Sequence, residues 1–223
     1  MGTSAPPTFR IPLILLAIAD LTLLGMRLWP WPDVLTLPLN GATGIDPAVT
    51  LLAYVGLIFW MGGSRTLPMK KALFSGALIG VLAGLILVGY VAFNAHPAVA
   101  NAPNAGLLSK GLLLAAGLIW GIAGFRGSKT TGDATAGMLS AVWCAMMSSL
   151  MACAAVLVEM YMAAPVPETT DPWKLYEGLA IGNTATQALV QSLNMVTGFL
   201  LLCPLAAGAI GLVFGLFGQS EKS

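Results

Sequence analysis

From residue 72 to residue 93 the chain runs through twenty-two positions without one charged side chain. As a helix that run is about 33 Å long, close to the ~30 Å thickness of bilayer hydrocarbon. A helix on a soluble protein needs a polar face, and this segment has none, so its solvent is lipid. Five other apolar segments repeat the pattern, giving helices over about 12–28, 47–63, 105–125, 136–162 and 184–218. Composition agrees: 57% of residues are hydrophobic and 9% charged, against about a quarter charged in soluble domains, and mean hydropathy is +0.86. These features predict an all-α integral membrane protein with six transmembrane helices, a single polytopic domain over residues 1–223.

Inside the first long run, Ala72, Gly76, Gly80 and Gly84 recur every fourth residue, which places four small residues on one helical stripe. Such a stripe lets a neighbouring backbone approach closely, the usual means of helix association where lipid removes the hydrophobic drive. A shift of sixty-one residues lays Gly76, Gly80 and Gly84 on Gly137, Ala141 and Ala145, and Leu51, Gly56, Gly63 and Arg65 on Leu112, Gly117, Gly124 and Arg126. The echo predicts that helices 2–3 and 4–5 form a parallel repeat of one hairpin, against the alternative that a Leu-, Ala- and Gly-rich chain matches itself by chance.

Proline, glycine and charge punctuate the segments. Pro12 opens the first helix and Pro30 stops it. With no small-residue cleavage pattern after it, this helix is expected to be retained. Asp46-Pro47 is expected to cap and start the second. Residues 29–45 and 94–104, the latter with the sole histidine, His96, are expected to be surface loops, and 64–71 and 126–133 short basic turns. A second Asp-Pro pair, Asp171-Pro172, precedes Trp173, Tyr176, Leu179 and Ala180, whose spacing predicts a short helix lying flat in the interface. The last segment is too long for one straight crossing, and Pro204, whose ring clashes with the carbonyl four residues back, is expected to break or kink it. Seven basic residues (Arg10, Arg65, Lys70, Lys71, Arg126, Lys129, Lys222) against three (Arg27, Lys110, Lys174) place both termini in the cytoplasm.

Asp20 lies in the middle of the first helix, where a carboxylate costs a few kcal/mol and rarely persists without a partner or a task. Gln187, Gln191 and Asn194 form one stripe on the last helix, and counting from the helix ends puts Asn194 at the depth of Asp20. Arg27 and Glu159 fall together nearer the outer surface. Two readings stand. In one, Asp20, Gln187, Gln191 and Asn194 line a polar pathway or substrate site with Arg27 and Glu159 at its mouth. In the other, Arg27 and Glu159 form an outer ion pair, the amides join helices, and Asp20 is neutral.

Cys144, Cys153 and Cys203 have no ligand-like spacing, one histidine cannot supply two haem ligands, and no hydrolase, zinc or nucleotide motif is present. No enzyme activity, cofactor or metal is therefore expected. A net charge of +1 without a basic run gives no reason to expect nucleic acid. The expected partner is the lipid of the cytoplasmic membrane, together with a second copy or another subunit if the small-residue stripes bind outward. A small-solute transporter or permease-like component is the expected function, the alternative being a structural or assembly subunit of a larger membrane complex.

Overall fold

The computed structural model describes residues 10–29, 45–61, 63, 66–95, 103–162, 173–176, 179–182 and 184–220. Six helices account for nearly all of them: α1 (Ile11–Leu28), α2 (Ile45–Met61), α3 (Leu67–Ala95), α4 (Ala105–Thr131), α5 (Ala134–Met162) and α6 (Thr184–Ser220). Five are long and apolar enough to cross a membrane, and α2 is a shorter apolar helix. Of the loops expected at 29–45 and 94–104, residues 30–44 and 96–102, His96 with them, lie outside the described residues, while Ile45 opens α2 and Asn94 and Ala95 close α3.

Helix α5 is the post on which the others assemble. Over its most apolar stretch it is 72% buried, against 22–44% for the other long helices. It packs on α1, α3, α4 and α6, while the contacts α3–α4, α4–α6, α6–α2 and α2–α1 complete a partial ring around it. The outer surface carries Leu78, Leu114, Leu205 and Phe217, all about two-thirds exposed, a surface compatible with hydrocarbon and not with water.

Small residues set the distances. A Cβ on Gly76 would meet the Ser140 carbonyl oxygen at 2.6 Å, one on Gly80 would meet that of Cys144 at 2.6 Å, and one on Gly84 would strike Met151. The stripe on α3 therefore docks on α5, in parallel. The echoed stripe on α5 is used elsewhere: Gly137 faces the Gly124 carbonyl and Gly215, and Ala141 faces Gly211, so it docks α4 and α6. Nor do the two supposed hairpins pack alike, since α4 and α5 pack together whereas α2 packs on α1 and α6.

Contact order along the helices gives their directions. Asp20 and Leu23 meet Cys153 and Tyr161 in turn, so α1 runs parallel to α5. Trp120 meets Ser148 and Gly127 meets Ser140, so α4 runs antiparallel, as does α6, whose Val196 and Gly211 meet Cys153 and Ala141. The starts of α1, α3 and α5 thus share one end of the bundle with the finishes of α4 and α6.

Several boundaries differ from those expected. Helix α3 begins at Leu67 and takes in Lys70 and Lys71, and α4 continues through Arg126 and Lys129 to Thr131. Pro68 falls in the first turn of α3, where proline is tolerated, and nothing between Arg126 and Thr131 stops α4 before Gly132; the charges sit on flexible stems that reach the headgroups. The turn between α4 and α5 shrinks to two residues. Gly132 takes φ +80°, its amide returning to the Ser128 carbonyl (2.7 Å), and the Asp133 carboxylate accepts from the Thr135 amide (3.0 Å) to start α5. Pro204 does not break α6, which is continuous from Thr184 to Ser220.

The expected interfacial helix after Asp171-Pro172 is replaced by a two-stranded antiparallel hairpin, β1 (Trp173–Tyr176) and β2 (Leu179–Gly182), in which Tyr176 pairs with Leu179. In sequence only Glu177-Gly178 separate the two strands. A two-residue connection ending in glycine between aromatic and aliphatic residues is a hairpin signal, and it outweighs a helical face only a few residues long.

Candidate functional site

Among the described residues five polar side chains, Asp20 and four serines, are buried, and the serines are satisfied. Ser128 donates to the Gly215 carbonyl (2.6 Å) and Ser140 to that of Ala72 (3.0 Å), each tying two helices where glycine has drawn them close. Ser148 donates to its own helix at Ala145 (3.0 Å) and accepts from Trp120 Nε1 (3.1 Å). Ser149 bonds the Met146 carbonyl (3.2 Å) and has Tyr54 Oη within 3.1 Å. The fifth is Asp20, 0% exposed, with no hydrogen-bond partner for either carboxyl oxygen among the described residues.

The position of Asp20 follows from periodicity. Leu13, Ala17, Asp20, Leu24 and Leu28 form the buried stripe of α1, spaced three or four apart, and this helix packs on α2 and α5. Across from it on α5 lies Cys153, close enough to the Asp20 carboxyl and to Cys203 to interact electrostatically with both. The Cys153 thiol points to the Val196 carbonyl of α6 (3.7 Å).

One α-helical turn from Cys153, Ser149 belongs to a second polar group built around Pro204. Proline has no N–H, so the Leu200 carbonyl loses its helical donor. Tyr54 of α2 supplies another, its hydroxyl donating to that carbonyl at 2.6 Å. Continuity of α6 through Pro204 and the burial of Tyr54, 3% exposed, are two sides of one contact. From sequence Pro204 marks a disturbed turn, but neither Tyr54 nor Ser149 is legible as its neighbour, since nothing local tells which helix will face it.

The residues singled out from sequence fall into three sets. Gly76, Gly80, Gly84, Gly137 and Ala141 lie in close helix contacts, and Ala145 is fully buried. Arg27 and Glu159 make no ion pair with each other. Instead the Arg27 guanidinium lies over the ring of Tyr161, 5.7 Å from its centroid, and the Tyr161 hydroxyl donates to the Leu23 carbonyl (3.2 Å). The group that Arg27 meets is two residues further along α5 than Glu159. Gln191 and Asn194 are exposed on α6 and do not reach Asp20; the side chain of Gln187 lies outside the described residues.

Chemically, the region offers one acid, two thiols and two hydroxyls in an apolar setting, and among the described residues no three His, Cys, Asp or Glu side chains converge to hold a metal ion. Comparison with family models, with curated proteins and with solved structures finds no match for this chain.

Proposed function

We propose that this is a six-span protein of the cytoplasmic membrane, both termini facing the cytoplasm, that acts as a small-solute transporter or permease-like component with Asp20 as its working group. The observation carrying this reading is the contrast inside the bundle: four buried serines are hydrogen-bonded, whereas the carboxyl of Asp20 is buried with neither oxygen bonded. An acid kept in hydrocarbon at a cost of a few kcal/mol, without structural use for its oxygens, is kept for what it binds.

Support for six crossings comes from direction. Because α1 and α3 both run parallel to α5, the chain between them has to return through the bundle, and α2, about 25 Å long at 1.5 Å per residue, is the helix available. Basic residues support the orientation: Arg10, Lys70, Lys71, Arg126 and Lys129 belong to one end and Arg27 and Lys110 to the other. The sixty-one-residue echo is read as a duplication whose copies now serve different contacts.

In vesicles loaded with candidate solutes, Asp20→Asn is expected to abolish flux and Asn194→Leu to leave it nearly unchanged. Equal flux in Asp20→Asn and the parent would end the transport reading. A second reading, an assembly subunit, is favoured by the filled interior, where every residue from 143 to 150 is buried. It predicts no flux and a fixed membrane partner that copurifies in constant ratio.

A further inference from the structure

Asp20 is buried with neither carboxyl oxygen bonded among the described residues, and its surroundings limit what it can bind. Metal cations demand many oxygens, six for Mg²⁺ and six to eight for Ca²⁺. Around Asp20 these are missing among the described residues: its own stripe supplies Leu13, Ala17 and Leu24, α5 supplies the Cys153 thiol, and the hydroxyls one turn from Cys153, those of Tyr54 and Ser149, are engaged with each other and with the carbonyls of Leu200 and Met146. A hard cation brought here would find one carboxylate and no completed shell. A proton needs only a single oxygen.

We infer that the ligand of Asp20 is a proton, taken from and returned to water as the bundle opens, and that no metal cation substitutes for it. This rests on the transport reading and names its coupling ion. The step is one bond: a water-borne proton binds a carboxylate oxygen to give the neutral acid, and the reverse restores the carboxylate. The titratable group facing Asp20 among the described residues is Cys153 on α5; Cys203 on α6 and Tyr54 on α2 interact with Cys153 in turn, and Arg27 lies two turns further along α1. None of them forms a hydrogen bond or an ion pair with the carboxyl. Among the described residues nothing neutralises the carboxylate except its own proton.

The test uses the intact protein in vesicles and dicyclohexylcarbodiimide, an apolar reagent that enters lipid and adds to protonated carboxyls. The acid proton passes to a carbodiimide nitrogen, the carboxylate oxygen bonds the central carbon, and nothing leaves. Peptide mapping should find the adduct on Asp20 and separate it from any on half-buried Glu159. Labelling of Asp20 should fall about tenfold per pH unit once the group ionises, should be unaffected by Na⁺ or Ca²⁺ at fixed pH, should vanish in Asp20→Asn and persist in Asp20→Glu. Protection by either cation, labelling that ignores pH, or no adduct on Asp20 at any pH would overturn the inference. A protein that labels in this way yet moves no solute would sink the transport reading and leave the proton site standing.

Discussion

At Gly80 a Cβ would lie 2.6 Å from the Cys144 carbonyl oxygen and 2.8 Å from Cβ of Met147, whereas at Gly89 of the same helix nothing lies within 4 Å. Gly80→Ala is expected to destabilise the bundle by about 1–3 kcal/mol, since backbone cannot retreat as a flexible side chain would. Gly89→Ala, with no contact to disturb and less backbone freedom when unfolded, is expected to be neutral or to stabilise by up to ~1 kcal/mol; reversible unfolding in mixed micelles compares the two. At Asp20 the sign reverses. Asp20→Leu removes an unbonded buried polar group and is expected to stabilise by about 1–3 kcal/mol while abolishing flux. A loss of stability in that variant would mean that the carboxyl has a structural partner after all. The small-residue stripe was legible in sequence because spacing alone puts Gly76, Gly80 and Gly84 on one face. The pairing of Asp20 with Asn194 was not, because depth fixes height along a helix but not rotation about its axis.

Helix α6 shows how one element's defect becomes another's anchor. Tyr54→Phe should leave the Leu200 carbonyl without a donor, at an expected cost of about 1–3 kcal/mol. In a Pro204→Ala background the restored N–H at position 204 can serve that carbonyl, so the same Tyr54→Phe change should cost less. A double-mutant cycle is expected to give a coupling of about 1 kcal/mol or more, read from unfolding in micelles. Additive effects would mean that hydroxyl and proline do not share the carbonyl. Proline chemistry marked a disturbed turn at Leu200 from the chain alone, but the residue that serves its carbonyl is 146 residues away and left no local mark. The segment after Asp171-Pro172 was misread for a different reason. Over so few residues a helical face and a strand pairing fit the same letters, and only the pairing of Tyr176 with Leu179 decides.

For the whole molecule, the bilayer-spanning character was the most legible property, because hydropathy is summed over every helix and survives local errors. Which helix would stand at the centre was less so: α5 is no more apolar than α3 or α6, and its place follows from small and soft residues meeting four neighbours at once. The claim that lipid is the solvent and the bundle spans it is tested most directly on one helix. Gly106 and Thr130, both exposed, lie near opposite ends of α4, 24 residues or about 36 Å apart, and the three native cysteines are buried. With a membrane-impermeant maleimide on sealed vesicles, Gly106→Cys is expected to react only from the outer side and Thr130→Cys only from the cytoplasmic side. Reaction of both from the same side would contradict the account.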